Sequence, residues 1–305
     1  MDILCIEHLS KSFGACKVID DLTFSVPEHS VFGFIGQNGA GKTTTMKMVL
    51  GLLKPTSGSI TVCGERVTYG QTKTNKYIGY LPDVPEFYGY MKPFEYLKLC
   101  GEITGLSDAK MKSKSEELLV LVGLDKANKK ISGFSRGMKQ RLGIAQALLN
   151  EPKLLICDEP TSALDPVGRK EILDILHQVK GKTTVIFSTH ILSDVERICD
   201  NIAVLHGGKI ALCGTLSHVK SQHKQDGLIV EFASQADIQQ FIAAPQLASF
   251  IINAEQTGTS ITLHTQDIQK AERAVISTIC ENQLLPIKFE VLEPTLESLF
   301  MEVVK

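Results

Sequence analysis

The stretch Gly36-Gln37-Asn38-Gly39-Ala40-Gly41-Lys42-Thr43 fits the pattern G-x-x-x-x-G-K-[ST]. An apolar run at residues 31–35 precedes it, and a helical pattern with apolar Met46 and Leu50 follows it. This order of strand, loop and helix is the context in which the pattern binds phosphate, because the backbone N–H groups and the helix N-terminus attract anions. The sequence therefore predicts an α/β domain of the P-loop NTPase class.

Two side chains of this loop are expected to act on a bound nucleotide. The ammonium of Lys42 would neutralise the β- and γ-phosphates, and the hydroxyl of Thr43 would bind Mg²⁺. A glycine-rich turn without a ligand is the alternative, but the lysine and the flanking pattern argue against it. The predicted contacts of the loop are Gly36, Gln37, Asn38, Gly39, Ala40, Gly41, Lys42, Thr43 and Thr44.

Polar residues follow two further apolar runs. Residues 153–157 are followed by Asp158 and Glu159, and residues 183–189 are followed by His190. The carboxyl end of a buried parallel strand is where such sheets bind ligands, so one carboxylate could hold Mg²⁺ while the other polarises a water molecule. An acidic turn and a surface histidine are the alternatives, which the neighbouring phosphate loop makes less favourable.

The segment Phe134-Ser135-Arg136-Gly137-Met138-Lys139-Gln140-Arg141 resembles the L-S-G-G-Q signature of the ATP-binding cassette family. Phe, Arg and Met replace Leu, Gly and Gln, whereas Ser135 and Gly137 are kept. Ser135 and the following amides form a helix N-terminus, which is a second anion site. The resemblance covers residues 1 to about 215 and implies an ATPase that binds ATP and Mg²⁺, with Ser135 and Gly137 contacting the nucleotide of a second copy.

The resemblance also implies roles for single residues. Phe13 matches the aromatic residue that stacks on adenine, and Asp165 lies in the loop that reaches the partner subunit. Asp158 matches the metal-binding carboxylate, Glu159 the general base and His190 the switch histidine. Lys42, Glu159 and His190 are thus the predicted catalytic residues, and Thr43 and Asp158 are predicted metal contacts.

One position departs from the family pattern. Most members have glutamine after the strand at residues 77–80, whereas this chain has Leu81-Pro82-Asp83. A carboxylate can still contact Mg²⁺, so Asp83 is a third predicted metal contact, but a solvated acid in a turn is an equal alternative.

Residues after about 220 follow a different pattern. Their strand and helix patterns run in the order β-α-β-β-α-β, with strands at 228–232, 250–252, 260–264 and 287–292 and helices at 237–243 and 267–281. This order predicts a small α+β domain of the ferredoxin-like type, followed by a helix from Thr295. Residues 293–300 are similar to the P-S-L-E-D-V-F ending of ATPases that serve separately encoded exporter permeases.

The composition restricts the partners. A net charge of -2 gives no general attraction to nucleic acid, so none is expected as a partner. The apolar runs are far shorter than the ~20 residues that span a bilayer, and the N-terminus lacks a signal-peptide pattern. We therefore expect a cytoplasmic chain that reaches the inner face of the membrane through a protein partner.

Taken with the resemblance, these observations predict a subunit that hydrolyses ATP, forms a homodimer around two MgATP and drives a separate transmembrane permease for export. The nucleotide-binding domain is expected at residues 1–219, with a mostly parallel sheet and a helical insertion at about 86–150, and an accessory domain at 220–305. Fused cassette pairs acting in translation, DNA-repair ATPases with coiled-coil arms and an ATP sensor that barely hydrolyses are the alternatives. The single cassette, the absence of heptads, and the retained Glu159 and His190 argue against them.

Overall fold

The computed structural model describes residues 1–71, 73–222, 227–245, 247, 253–265, 267–292 and 295–304. The chain divides into two compact units, the first containing Met1–Val219 and the second Lys220–Glu302. The strands of the first unit are β1 (Asp2–Phe13), β2 (Cys16–Pro27), β3 (Val31–Gly36), β4 (Ser57–Val62), β5 (Glu65–Arg66), β6 (Ile78–Leu81), β7 (Leu154–Asp158), β8 (Thr184–Thr189), β9 (Asn201–His206) and β10 (Lys209–Thr215). The helices up to the end of this unit are α1 (Lys42–Val49), α2 (Pro93–Ile103), α3 (Asp108–Leu121), α4 (Arg136–Leu148), α5 (Pro166–Val179), α6 (Leu192–Ile198) and α7 (Leu216–Gln222).

A six-stranded sheet with the order β10-β9-β3-β8-β7-β6 forms the centre of the first unit. Its strands are parallel except for β10, which pairs antiparallel with β9. Every residue of β3, β7 and β8 is buried, as expected for parallel strands that are covered on both faces and rich in Val, Ile, Leu and Phe. The mostly parallel sheet predicted from the sequence is confirmed.

The structure adds a second sheet that the sequence patterns did not predict. This sheet is antiparallel, with the order β2-β1-β4-β5. Phe24 of β2 stacks between the two sheets on Phe32 and Phe34 of β3, with ring centroids 5.7 and 5.5 Å apart. These rings join a buried apolar core that also includes the inner face of α1.

Helices α2, α3 and α4 lie between β6 and β7, where the sequence predicted a helical insertion. Helix α2 was not among the helices expected there, although its start has clear signals: Pro93 occupies the first turn, and the side chain of Glu95 accepts a hydrogen bond from the backbone N–H of Lys92 at 2.9 Å. Helix α4 packs against α2, α3 and β6. It therefore connects the insertion to the sheet.

The second unit contains β11 (Gly227–Phe232), α8 (Gln235–Ile242), β12 (Asn253–Thr257), β13 (Ser260–His264), α9 (Ile268–Glu281), β14 (Pro286–Val291) and α10 (Leu296–Val304). Its sheet has the order β12-β13-β11-β14, and all pairs are antiparallel. With β11 as the first strand, this is the ferredoxin-like order that the element pattern predicted. The strand predicted at residues 250–252 lies outside the described residues, and the second strand of the sheet is β12.

The helices are too short to cross a membrane. The longest have 14 residues, whereas a bilayer requires ~20 apolar ones. Within the part of the chain that the structure describes, no helix has the length and hydropathy of a membrane span.

Candidate functional site

A cleft with a volume of about 390 Å³ opens at the carboxyl end of the six-stranded sheet. Its lining combines the loop after β3 with the residues that follow β6, β7 and β8. The lining residues are Asn38, Gly39, Gly41, Lys42, Thr43, Thr44, Asp83, Glu159, Ser162 and His190. The fold therefore brings the phosphate loop together with the second acidic residue and the histidine, which lie more than a hundred residues further along the sequence.

The phosphate loop ends at Gly41, directly before α1. Gly41 has φ 107°, a backbone conformation that favours glycine, and a Cβ atom built there would lie 2.4 Å from Cδ1 of Ile19, so that side chain would have to shift. No side chain caps the N-terminus of α1. The uncapped first turn, which carries exposed Thr43, leaves backbone N–H groups for an anion.

Lys42 lies almost buried inside this loop, with 5% of its surface exposed. Its Nζ donates hydrogen bonds to the carbonyl oxygens of Gly36 at 2.6 Å and Gln37 at 3.2 Å. The same Nζ is 3.1 Å from Oε1 of Glu159. The ammonium is thus held at the base of the loop by neutral acceptors and one carboxylate, as a buried cation requires.

Glu159 adopts a left-handed conformation with φ 49°, which is uncommon for a residue with a side chain and often marks a functional position. Its N–H group donates to the carbonyl oxygen of Ser188 at 3.1 Å and to Oγ of Ser188 at 3.2 Å. One carboxylate oxygen, Oε2, lies 2.9 Å from Nδ1 of His190. The other, Oε1, is buried and has no hydrogen bond among the described residues, although the Lys42 ammonium lies 3.1 Å from it. A buried oxygen without a hydrogen bond fits a bound water or ligand.

Asp158 is also buried, and its Oδ1 accepts a hydrogen bond from Oγ of Ser188 at 2.5 Å. Ser188 therefore contacts both acidic residues, which the sequence patterns did not reveal. The one available signal was a hydroxyl residue in the otherwise apolar run of β8. Burial, reinforced by the Asp158 charge, raises the pKa of neighbouring Tyr80 to about 12, so its hydroxyl keeps its proton at neutral pH.

The side chains near the cleft can be compared with the ligands that Mg²⁺ binds in proteins. Among the described residues, no three His, Cys, Asp or Glu side chains are grouped to hold a metal. Mg²⁺ commonly binds through one or two protein oxygens together with substrate phosphates and water. The hydroxyl of Thr43 and the carboxylate of Asp158, beside a phosphate loop, fit that kind of site.

Asp83 lines the cleft, but the structure also gives it partners in α4. Its Oδ1 lies 3.1 Å from Nη2 of Arg136, and its carbonyl oxygen accepts a hydrogen bond from Nε2 of Gln140 at 2.6 Å. Gln140 is fully buried. The turn after β6 is thus connected to the first turn of α4, a link that the sequence patterns did not predict.

Seven predicted nucleotide contacts do not line this cleft: Gly36, Gln37 and Ala40 of the loop itself, and Phe13, Ser135, Gly137 and Asp165 elsewhere. Phe13 is 51% exposed at the end of β1, with Nζ of Lys11 4.8 Å from its ring centroid. Ser135 caps α4 by accepting a bond from the Met138 N–H at 3.3 Å, and Gly137 follows it. Asp165 caps α5 through the N–H of Gly168 at 3.0 Å.

Comparisons with known proteins identify the family of the chain. The model of the family described as ABC transporter matches residues 19–162. Over 303 residues the chain is 39% identical to the uncharacterized ABC transporter ATP-binding protein YxlF of Bacillus subtilis (strain 168), with 99% of each chain covered. The chain belongs to the ABC transporter ATP-binding protein family. As an ABC ATP-binding subunit it is an ATPase, and the fold described above is that of its family.

Two more relatives extend the comparison of this ABC ATP-binding subunit. The bacitracin transport ATP-binding protein BcrA of Enterococcus faecalis is 34% identical over 302 residues, covering 98% of this chain and 95% of BcrA. A solved ATP-binding subunit of an ABC transporter superposes with a TM-score of 0.65 at 36% identity, covering 72% of this chain and 92% of that one. Residues 214–304 match the model described as ATP-binding protein DrrA1-3-like, C-terminal domain.

Proposed function

We propose that two copies of this chain bind two MgATP between them. Each nucleotide would contact the phosphate loop of one copy and the N-terminus of α4, with Ser135 and Gly137, of the other. Ser135 is exposed and does not line the cleft of its own chain, which supports a role toward another molecule. Asp165 and Phe13 are also exposed outside the cleft, in keeping with contacts to the partner and to adenine.

The contact of Lys42 and His190 with the same Glu159 carboxylate is the observation that carries the proposed mechanism. When the Lys42 ammonium binds the γ-phosphate, it no longer pairs with the Glu159 carboxylate. The carboxylate can then orient and deprotonate a water molecule. Lys42 then neutralises charge on the transferred phosphoryl group, and His190 holds the γ-phosphate. Loss of that phosphate removes a contact that joins the two copies.

Mg²⁺ would supply charge neutralisation at the β- and γ-phosphates. Thr43 and Asp158 are the residues that would hold it, with Asp158 oriented by the Ser188 hydroxyl. Asp83 is the third proposed contact. Because its Oδ1 is paired with Arg136, the carboxylate would have to turn away from α4 to reach the metal.

Asp83→Asn should separate these two roles of Asp83. If the carboxylate contacts Mg²⁺, the variant should need several-fold more Mg²⁺ for half-maximal ATP hydrolysis, because an amide is a weaker metal ligand. Arg136→Gln is the matched control, since it breaks the same ion pair and leaves the carboxylate in place. An ATPase titration with Mg²⁺ measures both variants. Equal shifts in the two variants would assign Asp83 to the ion pair alone.

We further propose that residues 1–219 form the nucleotide-binding domain, with a helical subdomain at about 86–150, and that residues 220–305 are an accessory domain. The subunit would act on the cytoplasmic face of the membrane with a separate transmembrane permease, as an exporter. BcrA is named for bacitracin transport, and it aligns with this chain through both units, which supports this proposal. The DrrA-like match to the C-terminal region supports it independently.

Membrane association provides the test of this proposal. The chain should sediment with membranes only in cells that make its permease, because no described helix could span a bilayer. Affinity purification from solubilised membranes should then recover a polytopic protein together with the chain. Equal sedimentation from cells that lack the permease would contradict the proposal and indicate lipid binding.

A further inference from the structure

Strand β14 forms one edge of the sheet in the second unit, and no other described strand pairs with its free side. Alternate residues along it are apolar and exposed: Ile287 by 65%, Phe289 by 37% and Val291 by 38%. An exposed apolar edge strand offers its unpaired backbone groups to another strand. The edge therefore has the properties of an interaction surface.

The backbone hydrogen bonds identify the groups that point outward. The N–H of Leu292 donates to the carbonyl oxygen of Gly227 at 2.8 Å, so this pair bonds β14 to β11. In an antiparallel ladder such pairs alternate, and the register places Glu290 against Ile229 and Lys288 against Glu231. The N–H and C=O groups that face away from the sheet therefore belong to Phe289 and Val291, whereas the register shift between Glu231 and Phe232 interrupts the alternation at Ile287.

We propose that β14 pairs antiparallel with β14 of a second copy of this chain, with the Phe289 residues of the two copies opposite each other on a two-fold axis. In this register, Ile287 lies opposite Val291 of the second copy. The outward-facing groups of Phe289 in the two copies then form a hydrogen-bonded pair on the axis, as in a single continuous sheet. The apolar side chains of the two edges cover one another on the side of the sheet that holds Val230 and Leu228.

Charge selects both the partner and the register. With Phe289 on the axis, Lys288 of each copy lies opposite Glu290 of the other, on the polar face of the sheet. A shift of the axis to Lys288 or to Glu290 keeps the backbone match but places like charges opposite each other, which is destabilising. The Lys288 and Glu290 side chains already form an ion pair along the strand, so each is positioned on that face. The strand is thus complementary to itself.

The other edge of the same sheet lacks these properties. All five residues of β12 are exposed, but Asn253, Glu255 and Thr257 on one face alternate with Ala254 and Gln256 on the other. Self-pairing about Glu255 would place two carboxylates opposite each other. Only β14 combines an apolar face with opposite charges at symmetric positions.

This contact goes beyond the proposed function, because it involves no residue of the nucleotide cleft. It would hold two copies together when no ATP is bound. The area of one strand pair is small, so weak self-association is expected from it alone.

Sedimentation equilibrium of the full chain without nucleotide tests the proposal, over concentrations up to about 1 mM. The parent should form a dimer, and Lys288→Glu and Glu290→Lys should each weaken it by about tenfold or more. An equimolar mixture of the two variants should regain the parental affinity, because only the mixed dimer has opposite charges at both positions. Arg273→Glu, the same charge change on exposed α9, is the matched control and should leave the dimer unchanged.

A variant that acts on the backbone gives a second measurement. Phe289→Pro removes an outward N–H without removing an N–H that faces β11, so it should also weaken the dimer. A parent that stays monomeric throughout the concentration series would overturn the proposal, with the charges then serving only to protect the edge. An equimolar mixture of Lys288→Glu and Glu290→Lys that dimerises no more strongly than either variant alone would also overturn the proposal. Neither result bears on the ATP-dependent dimer, which is measured with nucleotide and depends on other residues.

Discussion

Glu159→Gln is expected to lower the rate of ATP hydrolysis by ~10²–10⁴-fold, the usual effect of losing a general base. The amide keeps the shape of the side chain but cannot accept the proton of water. Its Oε2 counterpart can still bond His190, and the left-handed backbone stays tied to Ser188. ATP should therefore remain bound and unhydrolysed. Steady-state phosphate release and retention of labelled ATP on desalting measure the two effects.

The same variant tests the shared nucleotide sites. In Mg²⁺ and ATP, light scattering after size exclusion should show a dimer at dilutions where the nucleotide-free parent is monomeric. Adding Ser135→Arg should restore the monomer, because it places bulk and charge at the exposed cap of α4. Glu102→Gln, an exposed glutamate in α2, serves as the matched control and should hydrolyse ATP at the parental rate. A Glu159→Gln chain with parental hydrolysis and no dimer would rule out both assignments.

Lys42→Ala is the second change with a large expected effect. It should abolish hydrolysis and weaken ATP binding by about 10-fold or more, because a charge-assisted hydrogen bond to phosphate contributes about 1.5–3 kcal/mol. The variant also leaves the carbonyl groups of Gly36 and Gln37 and the Glu159 carboxylate without their cation. Fluorescent nucleotide titration and phosphate release measure binding and turnover separately.

Lys47→Ala is the matched control for that change. Lys47 lies on the same helix, α1, but is exposed in its last turn and does not line the cleft. Its loss should alter neither nucleotide affinity nor turnover. Parental turnover in Lys42→Ala would remove the phosphate-loop assignment.

Much of this molecule could be predicted because its patterns are local. The phosphate loop has glycine at Gly41, where the backbone conformation favours it, and the apolar run of β7 is followed directly by its acidic residues. Alternation of apolar residues likewise predicted the elements of the second unit, including β13 at its observed bounds. Each of these signals is contained within a few consecutive residues.

Long-range contacts were not predictable in the same way. Ser188 reaches Asp158 across adjacent strands from 30 positions away, and Arg136 meets Asp83 across 53. Nothing in the local pattern of either residue specifies its partner. The antiparallel sheet of β1, β2, β4 and β5 was missed for the same reason, since pairing between distant strands depends on the tertiary fold.

The burial of β7 has a consequence for amide hydrogen exchange. All five residues are enclosed between β6 and β8, so their amide hydrogens should exchange with solvent deuterium only when the whole unit unfolds. The residues that follow Asp158 lie at the cleft and in turns, where local opening is expected. A nucleotide bound in the cleft should therefore slow amide exchange in the turns and leave exchange in β7 unchanged, so the strand provides an internal reference for the measurement.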